Sequence, residues 1–148
     1  MTQRLLEADT PVWMGCDVGK QMERTRGLWD AQLFETQALY GLQYGLNKAD
    51  RLRYGQTMMT HAMLFTGVDV VDGHPRRWRV ENSWGSDKSG QKGYYTMNDS
   101  WYDEYMFEIA APRNMLSEAM LNGLATEPIV LPAWDPMGSL ARQEIHSG

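Results

Sequence analysis

The fold of this chain is decided by two runs of strand-forming residues, Thr60-His61-Ala62-Met63-Leu64-Phe65 and Arg79-Val80-Glu81-Asn82-Ser83-Trp84-Gly85. Between them, Asp72-Gly73-His74-Pro75 has the composition of a turn. Two apolar runs joined by a turn predict an antiparallel hairpin. This hairpin brings His61 within cross-strand distance of Asn82, although the sequence alone does not fix the register of the strands.

Short strands and short helices alternate outward from this hairpin. The α+β fold class follows, because an antiparallel sheet with flanking helices is the simplest way to bury these elements. Asn47 is expected to cap a helix, since its side chain can accept a hydrogen bond from a free backbone N–H. We predict further strands at residues 11–17, 94–97 and 105–111. Three short helices are expected: one at residues 28–40, one that starts at residue 47 and one that ends at residue 124. A loop is expected at residues 85–93.

Composition excludes several classes of function. The length of 148 residues fits one domain or a piece of a larger one, and the net charge of −5 argues against a general nucleic-acid binder. The basic cluster Arg76-Arg77-Trp78-Arg79 is interpreted as a solvated strand entrance. A single cysteine excludes an internal disulfide and a Cys-rich zinc site. No pair of histidines has metal-ligand spacing and no Gly-rich phosphate loop occurs, so neither a metal nor a cofactor is expected. No apolar run approaches the roughly 18–20 residues that span a bilayer, so a membrane is not an expected partner.

The histidine and the asparagine suggest a chemistry when they are taken together. A cysteine peptidase requires an imidazole that accepts the thiol proton and a group that orients the ring. His61, Asn82 and Trp84 are candidates for the base, the orienting amide and an indole that keeps water from their hydrogen bond. Each residue alone has a simpler explanation, since a single histidine in an apolar strand usually packs in the core.

The flanking motifs narrow this interpretation to one family. Pro11-Val12-Trp13-Met14-Gly15-Cys16-Asp17-Val18-Gly19-Lys20, Trp78-Arg79-Val80-Glu81-Asn82-Ser83-Trp84-Gly85 and Leu131-Pro132-Ala133-Trp134-Asp135-Pro136-Met137-Gly138 resemble the C-terminal portion of the bleomycin hydrolase and aminopeptidase C family of papain-like cysteine peptidases. The third motif is the most discriminating, because ordinary papain-like enzymes lack such a tail.

The resemblance implies a fold, an activity and a site. It implies a papain-like antiparallel, barrel-like sheet with short helices, and a cytosolic cysteine aminopeptidase that acts on peptides without a metal. It implies a hexamer with active sites facing an inner chamber, and a C-terminal arm, residues 128–141, that enters the substrate cleft. By similarity, His61 is the catalytic base and Asn82 is its orienting partner. Residues 1–141 would be the His- and Asn-bearing part of the domain.

The chain departs from the family in two ways. The family's catalytic cysteine and its oxyanion-hole glutamine lie in an upstream portion that this sequence does not include, so we expect a fragment that is inactive without that partner. Residues 142–148 extend beyond the family's arm and form a polar tail, which we expect to be disordered. The tail could crowd the cleft, be trimmed or be an artefact of the gene sequence.

The only thiol is a poor candidate for the nucleophile. A catalytic cysteine of this class sits at a helix N-terminus, where the dipole lowers its pKa, whereas Cys16 ends an apolar strand beside Asp17. We therefore predict that Cys16 packs in the core. An alternative function stays open, in which the chain is a non-catalytic papain-fold binding or assembly module that uses no thiol.

Overall fold

The computed structural model describes residues 1–87 and 90–138 as a curled, seven-stranded half-barrel with short helices around it. The predicted α+β class is confirmed. The strands are β1 (Val12–Cys16), β2 (Met22–Glu23), β3 (Leu28–Trp29), β4 (His61–Val71), β5 (His74–Glu81), β6 (Tyr94–Asn98) and β7 (Met106–Ile109). The helices are α1 (Thr2–Glu7), α2 (Thr36–Tyr40), α3 (Lys48–Arg53), α4 (Asp99–Tyr105) and α5 (Glu118–Leu124), with a 3₁₀ turn at Arg113–Met115. None of the helices in these ranges is long and apolar enough to cross a membrane.

The strands follow the order β2-β3-β6-β5-β4-β1-β7, with β4 at the centre of the longest pairings. All pairs are antiparallel except β3 with β6. The predicted hairpin forms between β4 and β5, where Val71 pairs with His74 across Asp72 and Gly73. Both turn residues have positive φ, 51° and 80°, as a two-residue type I′ hairpin turn requires. The turn therefore sets the pairing at the tip of the hairpin, and the register shifts twice further along, between Asp69 and Val70 and between Phe65 and Gly67.

Inward-facing side chains of neighbouring strands form the core. Val12 pairs with Phe65 and Met14 with Met63, and all four side chains are buried. Alternation near the start of β4 buries Met63 and Phe65 while Leu64 between them remains partly accessible, which is the period of two that a half-buried strand shows. Aromatic side chains complete the core: Trp29, Trp78, Tyr95 and Trp101 are almost fully buried.

Two predicted elements differ in the structure. Residues 28–40 were expected to be helical, but Leu28 and Trp29 form β3 and the helix is limited to Thr36–Tyr40. The reason is burial of Trp29, which is 1% exposed and donates its indole N–H to the carbonyl of Val18 at 3.0 Å. The predicted turn at 72–75 is shorter than expected, because His74 already pairs with Val71.

The other predicted elements are present. Asn47 caps α3, where its side-chain oxygen accepts from the backbone N–H of Asp50 at 2.9 Å. The arm is described over residues 128–138, where it contains no helix or strand and exposes Ile129 and Val130 almost completely. The arm's residues 139–141 and the predicted disordered tail, 142–148, lie outside the described residues.

We predict that Phe65 is a main source of stability. Its side chain is 0% exposed and contacts the rings of Trp78 and Tyr102. Phe65→Ala should lower the free energy of unfolding by about 3–5 kcal/mol, because it removes a buried ring and leaves a cavity. Urea unfolding followed by tryptophan fluorescence measures this loss. Val71→Ala, at the exposed end of the same strand, should change stability by about 0.5 kcal/mol or less; equal effects of the two substitutions would contradict the assignment.

Candidate active site

His61 is the first residue of β4, and hydrogen bonds hold the segment that leads to it. The backbone N–H of Thr60 donates to the carbonyl of Cys16 at 2.9 Å, and the Thr60 hydroxyl accepts from the N–H of Val18 at 3.1 Å. The buried carboxylate of Asp17 accepts from the Thr57 hydroxyl at 2.7 Å. The end of β1 therefore fixes the backbone immediately before His61.

Asn82 follows the last residue of β5 and is 9% exposed. Its backbone N–H donates to the carbonyl of Gly93 at 3.1 Å, which ties it to the far end of the 85–93 loop. The side-chain Oδ1 of Asn82 lies 2.9 Å from Nε2 of His61. The structure thus brings together the two residues that the sequence analysis selected.

The tautomer of His61 follows from a third group. The backbone N–H of Ser83 donates to Oδ1 of Asn82 at 2.8 Å. Because an N–H needs an acceptor, the amide atom at this position is the oxygen, and Nε2 of His61 must donate to it. A neutral ring then carries its lone pair on Nδ1, for which no hydrogen bond occurs within the described residues. This nitrogen is placed to accept a proton.

The side-chain nitrogen of Asn82 is unusual. Nδ2 is buried and has no hydrogen-bond partner among the described residues. Leaving a buried amide N–H unpaired costs about 1–3 kcal/mol. The site therefore orients His61 at some expense to the stability of the fold.

Trp84 covers the histidine. Its ring stacks on the imidazole with centroids 5.1 Å apart and an interplanar angle of 28°. Tyr95 contacts the same indole edge-on at 6.0 Å, and the guanidinium carbon of Arg24 lies 4.9 Å from its centroid. The stacking of the Trp84 indole on the His61 imidazole is the contact that the sequence predicts for a shield of the His61–Asn82 hydrogen bond.

Cys16 packs in the core, as predicted. It pairs with His61 in the β1–β4 register, yet its side chain is 0% exposed. The contact recorded for its sulfur is the backbone carbonyl of His61 at 3.7 Å. Burial, and secondarily the neighbouring Asp17 carboxylate, raise the pKa of the Cys16 thiol well above its ordinary range. A protonated, enclosed thiol is a poor nucleophile.

Other candidates for chemistry lie away from this centre. His74 is exposed at the start of β5. No group of three or more His, Cys, Asp or Glu side chains that could hold a metal ion occurs in residues 1–87 and 90–138.

Sequence reasoning missed several groups that build the site. The Ser83 N–H sets the tautomer, but a backbone donor leaves no mark in the sequence. Asp17 is adjacent to Cys16 in the sequence, but only the structure shows that its carboxylate accepts a hydrogen bond from the Thr57 hydroxyl. Arg24 belongs to a polar stretch of the sequence, and only the three-dimensional arrangement shows its contact with Trp84.

The chain matches one family model and several known proteins. The model of the Peptidase C1-like family matches residues 1–138. Bleomycin hydrolase of Homo sapiens is 49% identical over 134 residues, covering 88% of this chain and 29% of that protein. Aminopeptidase C of Listeria monocytogenes is 44% identical over 140 residues, covering 95% of this chain and 31% of that protein.

A solved structure confirms the papain-like fold class. The crystal structure of PepW from Lactobacillus rhamnosis HN001 superposes with a TM-score of 0.85 at 40% identity, over 93% of this chain and 31% of that one. The chain spans 29–31% of the length of the curated relatives described here.

We predict that Cys16 is inert in the folded chain. Because the pKa of its thiol is raised, the thiolate should remain scarce from pH 7 to pH 9, and a thiol reagent such as dithionitrobenzoate should label it slowly. In urea the thiol should return to an ordinary pKa of about 8.5 and react quickly above it. His61→Ala serves as the control. Fast labelling of the folded chain at neutral pH that disappears in this variant would show that Cys16 is activated by the histidine.

Proposed function

The chain belongs to the Peptidase C1-like family, and we propose that it supplies the general base and the orienting amide of a cysteine aminopeptidase. The observation that supports this most directly is the hydrogen bond from Nε2 of His61 to Oδ1 of Asn82. It leaves Nδ1 as the basic atom of the ring. The nucleophile is then a cysteine of a separate, upstream part, since Cys16 is buried.

The proposed mechanism assigns one step to each group. Nδ1 of His61 accepts the thiol proton, and the resulting imidazolium stabilises the thiolate that attacks the peptide carbonyl. The same imidazolium then protonates the leaving amine. Asn82 holds the ring in one orientation through both transfers, because its oxygen accepts from Nε2 in the neutral and in the charged state. Trp84 limits the access of water to this bond.

Cleavage at a free N-terminus is the proposed specificity. The names aminopeptidase C and bleomycin hydrolase belong to the relatives, and the arm supports extending the first activity to this chain. The carbonyl of Pro136 accepts from the backbone N–H of Met59 at 2.9 Å, two residues before His61. An arm seated there would block the extended binding of a long peptide and leave room for its end. The resemblance also supports a cytosolic homo-hexamer.

The second candidate function concerns the chain alone. The burial of Cys16 favours a non-catalytic papain-fold module that binds peptides or takes part in assembly. The two proposals differ in one outcome, which is hydrolysis once a suitable cysteine is supplied.

We predict that the isolated chain is inactive and that a chimera is active. In the chimera, this chain replaces the matching part of aminopeptidase C from Lactococcus lactis subsp. cremoris, to which it is 44% identical over 137 residues. The chimera should release the fluorophore from an aminoacyl-aminomethylcoumarin and spare its N-acetylated form. Hydrolysis by the isolated chain would refute the need for an upstream cysteine. A folded chimera without activity would favour the non-catalytic module.

Within the chimera, we predict that His61→Ala lowers kcat by about 10²–10⁴-fold, the usual contribution of a general base. His74→Ala is the matched control, because that histidine is exposed on the hairpin, and it should leave kcat unchanged. Similar losses in both variants would indicate damage to the fold rather than to the chemistry.

Asn82→Ala should have a smaller effect in the chimera. It removes a hydrogen bond that orients the ring but leaves the base in place, so a loss of about ten- to a hundredfold in kcat/KM is expected. Asn122→Ala in α5, an exposed asparagine, is the control. An Asn82→Ala variant as active as the control would remove the orienting role from the proposal.

A further inference from the structure

We infer that Arg24 is a positioning residue that holds the Trp84 indole over the His61–Asn82 hydrogen bond. Its guanidinium carbon lies 4.9 Å from the centroid of the Trp84 ring, and that ring stacks on His61. A cation over an indole face is attracted by the ring quadrupole. Arg24 forms no ion pair with any residue in the described ranges, so the ring is the partner of its charge.

Trp84 packs against the hydrophobic core, but this packing does not bury the whole indole. The side chain is only partly buried, and Gly85, with φ of 90°, follows it directly. Tyr95 contacts the indole edge-on at 6.0 Å. Arg24 adds a second contact, and an indole with two such contacts has less freedom to leave the imidazole.

The turn that bears Arg24 is itself well ordered by hydrogen bonds. The Glu23 carboxylate accepts from the N–H groups of Thr25 at 3.0 Å and Arg26 at 2.7 Å. The carbonyl of Arg24 accepts from the N–H of Gly90 at 3.2 Å, which joins the turn to the loop that follows Trp84. These hydrogen bonds fix the backbone position of Arg24 independently of its side chain.

Close backbone packing fixes the same two loops against each other. A Cβ atom on Gly27 would lie 2.6 Å from the Cα of Gly90, and both glycines have positive φ, 69° and 64°. Only residues without a side chain allow this approach. The distance between Arg24 and Trp84 is therefore set by the backbone, and the guanidinium has only to extend over the ring.

The consequence concerns water at the site. When the indole moves away, solvent reaches the bond between Nε2 and Oδ1 and competes for the proton. Holding the indole in place keeps the ring tautomer that the proposed general-base step requires. The positioning itself rests on contacts in this chain, and only its catalytic consequence rests on the proposed function.

The test is the exchange rate of the Nε2 proton of His61 with water, measured by NMR on the full 148-residue chain. Arg24→Gln should speed this exchange by about two- to fivefold, the factor that corresponds to an exposed cation–π contact. Arg24→Lys keeps the charge and should restore most of the protection. Arg26→Gln, an exposed arginine of the same turn, should have no effect.

Backbone amides in the core separate positioning from stability. The amides of Phe65 and Val80 should exchange at unchanged rates in Arg24→Gln. If these two amides also exchange faster, the exchange rate of the His61 Nε2 proton in Arg24→Lys is the deciding measurement. A return of that rate toward the value of the unsubstituted chain supports the inference, and a rate as fast as in Arg24→Gln overturns it. An unchanged rate at His61 in Arg24→Gln overturns it directly. Because no catalysis is measured, this outcome is independent of whether the chimera hydrolyses peptides.

Discussion

The pairing of β4 with both β1 and β5 is the constraint on which the rest of the structure depends. β4 places Met63 and Phe65 in the core, and its first residue is His61. A shift of one residue in either register would turn the buried side chains outward. Because the burial of Met63 and Phe65 sets the register of β4, core packing also sets the position of the His61 backbone in the sheet. Apolar burial therefore places the strand that bears His61, and the polar contacts of the site orient its side chain.

The polar groups then determine what the positioned histidine can do. A neutral amide accepts from Nε2 whether the imidazole is neutral or protonated, so it does not favour the charged state as strongly as a carboxylate would. The Ser83 N–H leaves only one orientation for that amide. The cost of this arrangement is that Nδ2 of Asn82 has no hydrogen-bond partner among the described residues. Local violations of polar pairing of this kind are expected where function, rather than stability, selects the residues.

Sequence reasoning succeeded where the pattern is periodic or where a turn has a strict composition. The apolar run through β4, the alternation through β5 and the turn composition of Asp72-Gly73 predicted the hairpin, and the hairpin predicted that His61 and Asn82 would lie close together. It failed for Leu28 and Trp29, because two residues are too few to show a period and the burial of Trp29 depends on distant strands. The role of Arg24 was equally inaccessible, since an arginine in a polar turn looks the same whether it faces water or a ring.

The relation between Cys16 and His61 gives a physical reason why the proposed base lies on a strand and the proposed nucleophile does not. The two residues are opposite one another in the register, yet the pairing that aligns them also buries the thiol. A sheet has little net dipole, so no positive potential compensates for the desolvation of a thiolate there. A helix N-terminus does provide such a potential. A base needs rigid orientation and a thiolate needs a positive field, so the two are best placed on different elements that face each other across a cleft. The open Nδ1 of His61 is consistent with one side of such a cleft.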